Sequence, residues 1–200
     1  MPNKEKREEI MQFRSIPADL HVREAQNADE NPHIQGYFAV FGDIYDMGYG
    51  LTESIAPGAF DETLSGDIRA LINHDTTLVL GRTSAHTLEL KADEHGLWGD
   101  IDVNPNDTDA MNLHARVERG DVSQCSIGFE ILDESTEFRE DGSIHWTINK
   151  IKLYEVSPCT FPAYESTSIS ARQKDAEAIR ARQLEAWKSG MKNRLKGGHE

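Results

Sequence analysis

A lone serine in a crowded apolar stretch is the residue best suited to nucleophilic chemistry. Ser126 lies in the segment Asp121–Glu130, where bulky apolar residues frame small ones and Gly128 follows two positions later. Strand interiors normally avoid glycine, so its presence suggests that a ligand or another backbone approaches closely. The same pattern is also typical of a small polar residue packed in a strand. Ser126 therefore needs a neighbouring base before it can be assigned a nucleophilic role.

Histidine is the usual base for a serine because its imidazole titrates near neutral pH. Of the eight histidines, His74 alone follows a short, strongly apolar run, Ile68–Ile72, at whose end a side chain can be held in a cleft. The others fall in predicted turns, extensions or solvated elements, with His114 expected on a surface helix. Asn73-His74-Asp75 is equally consistent with an ordinary strand-ending turn. The pattern thus makes His74 the candidate base without excluding a structural role.

A third residue would orient the imidazole and stabilise its cation, as a carboxylate does in a catalytic triad. Glu155 is a lone acid in an otherwise apolar segment, and acids are rarely buried without a partner. An outward-facing position at a sheet edge would explain it equally well. Asp75 is the other candidate, although residues adjacent in sequence usually point their side chains apart. Glu155 is preferred, with Asp75 left open.

The two cysteines, Cys125 and Cys159, are too few for a disulfide framework and favour a reducing, intracellular setting. Cys125 is a competing nucleophile, but strand alternation would turn it to the face opposite Ser126. No two histidines are spaced as ligands on one element, so metal-dependent hydrolysis is disfavoured. We predict no metal and no cofactor.

The formal net charge of −14 argues against nonspecific nucleic-acid binding, because phosphates would be repelled. Residues 170–200 depart from this balance, with eight Lys/Arg against four Asp/Glu. An acidic body with a basic tail indicates a separate role or partner for the tail. There is no apolar run of about 18 residues, so no membrane span is predicted. The charged N-terminus leads into no apolar segment, which argues against a secretory signal.

Many short apolar runs separated by turn signals predict a mainly β domain with short surrounding helices, an α+β arrangement built as a barrel or sandwich. Asp141-Gly142 is a strong hairpin signal, and Thr108–Arg119 is a predicted helix ended by Gly120. A short helix is expected to open at Pro57. We predict an N-terminal extension at 1–30, with one edge strand, a central domain at 31–168 and a basic helical tail at 169–200.

Four segments occur in a fixed order along the chain: Glu53–Phe60, then Leu71–Asp75 with Leu80–Thr83, then Cys125–Phe129, then Glu155–Ala163. This series resembles the prohead maturation protease family of tailed bacteriophages, which is distantly similar to the herpesvirus assemblins. The resemblance runs from about Gly36 to Ser168. It implies an antiparallel assemblin-like β-barrel, with the helical tail following it.

The resemblance also implies a serine endopeptidase that cleaves scaffold or capsid-protein extensions during head maturation. The family's histidine falls on His74 and its serine on Ser126, 52 residues later. The phage pattern puts an acid in the following strand, which is Glu155, 29 residues after Ser126. Assemblins instead use a second histidine after the serine, and His145 comes too early to match it. The backbone amides near Gly81-Arg82 or Gly128 are candidate oxyanion donors.

The partners implied are the major capsid protein or the scaffold as substrate, with neither nucleic acid nor membrane. The location implied is the procapsid interior in the host cytoplasm. Cleavage of the chain's own tail and a homo-oligomeric state stay open. Two alternatives also stay open: an inactive assembly or scaffold protein with the same fold, and a hydrolase that uses Cys125.

Overall fold

The computed structural model describes residues 11–17, 20–27, 30–161 and 166–196. Within them the strands are β1 Gln12–Pro17, β2 His21–Arg23, β3 His33–Val40, β4 Tyr45–Asp46, β5 Leu51–Ile55, β6 Arg69–Ile72, β7 Asp75–Arg82, β8 Leu88–Ala92, β9 Gly96–Asp102, β10 Gln124–Phe138 and β11 Ile144–Cys159. The helices are α1 Thr108–Glu118 and α2 Ser166–Lys196, with a 3₁₀ turn at Thr83–Ala85.

The long hairpin of β10 and β11 forms the spine of the molecule. Its turn lies at Asp141-Gly142, as the sequence predicts. Gly142 has φ +82°, a left-handed conformation that glycine adopts without steric cost. The Asp141 carboxylate accepts a hydrogen bond of 2.9 Å from the Ser143 amide. These local contacts set the hairpin register, which pairs Ser126 with Ser157.

The strands form two sheets. The larger has seven strands in the order β1-β10-β11-β5-β4, with β6 pairing both β11 and β7; the smaller has the order β2-β3-β9-β8. Strand β11 is long enough to pair in parallel with β5 along its first half and with β6 near its end. The mainly β prediction is confirmed. The predicted antiparallel barrel does not form: the described strands make two separate sheets, one of which contains both parallel and antiparallel pairs.

The main core lies between the two sheets. Ile34 and Ile101 from the smaller sheet join Ile127 and Phe129 from the larger one in a single buried cluster. A second cluster, Met47, Leu51, Ile144 and Trp146, is closed by Ala176 of α2. The early part of α2 therefore packs on the body. Further along that helix, large apolar side chains are exposed: Leu184, Trp187 and Met191.

Helix α1 begins and ends where the sequence predicts. Its N-terminal cap is Asp107, whose carboxylate accepts from the Asp109 and Ala110 amides, and Gly120 follows its end at φ +84°. The sequence predicts His114 on the solvated side of this helix, but the residue is buried and only 3% exposed.

The helix predicted at Pro57 does not form. The stretch that follows Pro57 is a series of turns, because Gly58 adopts φ +86°, which cannot start a right-handed helix.

The predicted N-terminal edge strand is present as two strands, each at the edge of a different sheet: β1 beside β10 and β2 beside β3. Residues 1–10, 18–19, 28–29, 162–165 and 197–200 lie outside the described part, and with them His199. No helix among the described residues is long and apolar enough to cross a membrane.

Candidate active site

The β10–β11 register gathers several polar side chains on one sheet face. Ser126 pairs with Ser157, and Gly128 pairs with Glu155. Because side chains alternate along a strand and paired residues share a face, these four positions all face the same way. Cys125 pairs with Pro158 and points to the opposite face, as predicted. The sequence could indicate the alternation but not the register.

His74 reaches this face from a tight turn. Strands β6 and β7 pair Ile72 with Asp75, which leaves Asn73 and His74 as a two-residue loop. Both have positive φ, +51° and +63°, as a type I′ hairpin turn requires. The turn is bound to the end of β11, since the Asn73 amide donates to the Pro158 carbonyl at 3.2 Å. A histidine in this conformation is strained, and such strain is concentrated at functional sites.

The imidazole of His74 is bound to Glu155. Nδ1 lies 2.6 Å from Oε1 of Glu155, and because a carboxylate accepts, Nδ1 donates. The second carboxylate oxygen accepts from the Ser157 hydroxyl at 2.5 Å. Ser157 Oγ in turn accepts from the His74 amide at 3.3 Å. Glu155 is buried, and these contacts fix the orientation of the ring; in a neutral imidazole that donates from Nδ1, Nε2 is the nitrogen that can accept a proton.

Ser126 is on the same face but makes no hydrogen bond to the His74 ring in this structure. It is fully buried, and its Oγ has no hydrogen-bond partner within the described residues. A buried hydroxyl without a partner typically costs about 1–3 kcal/mol. Cys159 also contacts the imidazole, with its Sγ 3.7 Å from His74 Nε2. Among the described residues, His74 is thus paired with Glu155, and Ser126 on the same face has no hydrogen-bond partner.

Strand β1 lies beside β10 in the same sheet and adds side chains to this face. Ser15 pairs with Ser126, and Phe13 pairs with Gly128. The Phe13 ring packs edge-on against the His74 imidazole, with the ring centroids 4.4 Å apart. The Phe13 ring therefore occupies the part of this face next to His74.

The structure explains why position 128 is a glycine. A Cβ at this position would lie 2.3 Å from Glu155 Oε1. The close approach inferred from the glycine is therefore made by the Glu155 side chain itself. Of the other candidate oxyanion donors, the Arg82 amide already donates to Thr87 Oγ1 at 3.0 Å.

Asp75 is directed away from the imidazole. Its carboxylate accepts from the Thr77 hydroxyl at 2.6 Å and from the Thr77 amide at 2.8 Å. These hydrogen bonds hold the pKa of Asp75 below its usual value. The geometry therefore favours Glu155 over Asp75 as the third member of a catalytic triad.

Neither cysteine is electrostatically prepared to act as a thiolate. Burial, with a smaller contribution from Cys159, raises the pKa of Cys125 well above its usual value. Burial and then the charge of Glu155 raise the pKa of Cys159 to about 12. Both thiols are therefore protonated near neutral pH.

A second serine–histidine pair was missed by the sequence reasoning. His145 Nε2 lies 2.9 Å from Ser54 Oγ, and its Nδ1 lies 2.8 Å from Thr52 Oγ1. Burial, and then the charge of Arg139, lowers the pKa of His145. Both ring nitrogens thus contact hydroxyls instead of a carboxylate. No local signal could have revealed the pair, because it depends on the parallel pairing of β5 with β11.

Comparison with known proteins identifies the family of this chain. Residues 18–182 match the family described as Caudovirus prohead serine protease. The prohead protease of Enterobacteria phage HK97 is 31% identical over 158 residues, which cover 76% of this chain. The chain spans 65% of that relative's length. The bacteriophage T4 capsid assembly protease is 11% identical, with a TM-score of 0.48, covering 76% of this chain and 98% of that one. The predicted resemblance is confirmed: this chain belongs to the caudovirus prohead serine protease family.

Proposed function

We propose that this chain is a serine endopeptidase with Ser126 as nucleophile, His74 as general base and Glu155 as the residue that orients the base. One observation carries the proposal: the 2.6 Å contact between His74 Nδ1 and Glu155 Oε1, on the sheet face that also bears Ser126. A carboxylate on Nδ1 is what a histidine needs in order to accept a proton at Nε2.

In the proposed reaction, Ser126 Oγ attacks the carbonyl carbon of the scissile peptide while its proton passes to His74 Nε2. The imidazolium then gives that proton to the leaving amine, and the C–N bond breaks. Water then attacks the acyl carbonyl while giving a proton to the same nitrogen. The bond between Ser126 Oγ and the acyl group breaks, and the imidazolium returns the proton to Ser126 Oγ. The Ser126–His74 hydrogen bond forms when substrate binds, since catalytic hydrogen bonds are often unformed in the free enzyme.

The proposed substrates are extensions of the major capsid protein or of the scaffold, cleaved inside the procapsid in the host cytoplasm. Family membership supports this assignment, and the relative in phage HK97 is named a prohead protease. An inactive assembly protein of the same fold is the principal alternative. The raised pKa of Cys125 and its position on the opposite face weigh against a hydrolase that uses it.

A cysteine mechanism through Cys159 is the second candidate, because its Sγ is 3.7 Å from His74 Nε2. Its pKa of about 12 weighs against it. Three single variants separate the options when each is co-expressed with the cognate capsid protein and cleavage is followed by mass mapping. We expect Ser126→Ala to abolish cleavage and Cys159→Ala to retain it. Ser54→Ala, which removes the serine of the Ser54–His145 pair, should also retain it.

A fluorophosphonate probe provides an independent readout, since it labels an activated serine without a protein substrate. We expect wild type to be labelled on Ser126 and the Ser126→Ala variant to remain unlabelled. Undiminished cleavage by Ser126→Ala would exclude the proposed nucleophile. Loss of cleavage in Cys159→Ala alone would establish the cysteine mechanism instead.

A further inference from the structure

Away from the candidate active site, a buried histidine has one ring nitrogen without a hydrogen-bond partner in the described part of the chain. His114 lies on the inner face of α1, and its side chain is 4% exposed. Nε2 is fully buried and has no hydrogen bond to any residue that the structure describes. Buried polar atoms are normally satisfied, so an unpaired one requires an explanation, such as a bound ion.

Two carboxylates converge on this nitrogen. Glu24, just after β2, has Oε1 3.9 Å from His114 Nε2, which is too long for a hydrogen bond. Glu118 lies one turn after His114 on α1, at the i,i+4 spacing that puts two side chains on one helix face. One ligand atom from each residue lies within 4.8 Å of the other two.

We propose that Glu24, His114 and Glu118 form a binding site for a divalent first-row transition metal ion, with Zn²⁺ as the representative ion. Two carboxylates and a neutral imidazole carry a charge of −2, which balances the ion. The imidazole nitrogen favours Zn²⁺ and similar ions over Mg²⁺ or Ca²⁺, which prefer oxygen ligands. Water would complete a tetrahedral set.

The separation between Glu24 and His114 suits this ion after a small adjustment, and all three ligand atoms lie within 4.8 Å of one another. Ligands at about 2.1 Å from a tetrahedral Zn²⁺ lie about 3.4 Å from one another. The gap between Glu24 Oε1 and His114 Nε2 must therefore close by roughly half an ångström. Glu24 is 66% exposed in its side chain and can rotate to do so, while buried His114 stays in place.

The role that follows is structural. Glu24 comes directly after β2, the edge strand of the smaller sheet, and α1 packs against β2 and β3. An ion held between Glu24 and α1 would fasten the segment after β2 to the body of the protein. The site uses none of His74, Ser126 and Glu155, so the inference is independent of the proposed protease function.

The test compares two double variants of the full chain. Glu24→Gln with Glu118→Gln removes two proposed ligands, and both side chains are exposed, so the fold is expected to persist. Glu94→Gln with Glu140→Gln is the matched control, since it removes the same charge at exposed positions elsewhere. Chelator-treated protein is titrated with Zn²⁺ by calorimetry. We expect the site variant to bind at least about tenfold more weakly than wild type and the control. Equal affinity in all three would overturn the proposal.

Nuclear magnetic resonance of ¹⁵N-labelled imidazoles identifies the nitrogen involved, with His114→Gln used to assign its signals. Zn²⁺ should shift the His114 Nε2 resonance of wild type, and Mg²⁺ at the same concentration should not. A Zn²⁺ response confined to other histidines would overturn the site, and an equal response to Mg²⁺ would overturn the assignment to a transition metal. Zn²⁺ should also slow amide hydrogen exchange in β2 of wild type but not of the site variant. Unchanged exchange in wild type would contradict the structural role.

Discussion

At the scale of single residues, the geometry depends on the contact between Glu155 and the His74 ring. Glu155 is a positioning residue in the proposal: it acts on the substrate only through the imidazole. Its two oxygens have separate partners, His74 Nδ1 and the Ser157 hydroxyl. An amide in its place would keep the size of the side chain but lose the negative charge that stabilises an imidazolium.

Glu155→Gln is therefore expected to lower the rate constant for cleavage by roughly 10⁴-fold, the scale seen when a triad acid becomes an amide. Asp75→Asn is the matched control and should stay near the wild-type rate, because Asp75 is bound to Thr77. The measurement is single-turnover cleavage over a range of pH, with urea unfolding run in parallel. A rate unchanged in Glu155→Gln, or lowered equally in Asp75→Asn, would remove Glu155 from its role.

Gly128 offers a second test at this scale, because a Cβ there would lie 2.3 Å from Glu155 Oε1. Gly128→Ala should displace the carboxylate, lower activity and destabilise the fold by about 1–3 kcal/mol. Gly190→Ala is the control: a Cβ there meets nothing within 4 Å, and helix propensity should add about 0.5–1 kcal/mol of stability. Activity and urea midpoints are the readouts. A Gly128→Ala enzyme with wild-type activity would contradict the proposed geometry.

At the scale of elements, α2 is joined to the body by a buried ionic cluster. Glu53 of β5 is 1% exposed and binds two cations, Arg14 at 2.6 Å and Arg172 at 2.5 Å. Arg172 also lies 2.7 Å from Glu134 and stacks over the Trp146 ring at 4.7 Å. Burial raises the pKa of Glu53, but the charges of Arg14 and Arg172 outweigh it and keep that pKa below its usual value. One cluster therefore links β1, β5 and α2.

Arg172→Leu should reduce the free energy of unfolding by about 3–5 kcal/mol, because it removes one partner of a buried charge. Arg182→Leu, an exposed position on the same helix, should change it by less than about 0.5 kcal/mol. Urea unfolding followed by circular dichroism measures both. Similar small effects from the two variants would show that the cluster does not stabilise the attachment of α2.

At the scale of the whole molecule, charge is unevenly distributed. The chain carries −14 in total, whereas residues 170–200 hold eight Lys/Arg against four Asp/Glu. Beyond the packed residues Ala176 and Ile179, α2 exposes Leu184, Trp187 and Met191. We propose that residues 169–200 form a tail with a separate task, either contact with the scaffold or shell or removal by self-cleavage.

Self-cleavage predicts a mass difference between two purified proteins. Under conditions that allow assembly, wild type should appear shortened within the tail, while Ser126→Ala should keep its full length. Intact-mass spectrometry distinguishes them. Identical full-length masses would exclude self-cleavage and leave contact with the scaffold or shell as the tail's proposed role.

The sequence by itself determined the features that depend on local chemistry. Residue periodicity predicts the strands, and Asp141-Gly142 predicts the hairpin turn. The cap at Asp107 marks the start of helix α1. Each of these features depends on residues that are close in sequence. The order of four motifs was enough to identify the family. Gly58 is the counterexample, since its left-handed conformation was not visible and the helix expected at Pro57 does not form.

Only the tertiary structure decided the features that depend on strand register and on residues distant in sequence. Parallel pairing of β11 with both β5 and β6 produced two sheets instead of a barrel. The strand register pairs Gly128 with Glu155, and the tight turn places His74 at the same face. Together they make Glu155, and not Asp75, the partner of His74. His114 became a buried residue facing Glu24 for the same reason: long-range packing, not local pattern, determines which side chains meet.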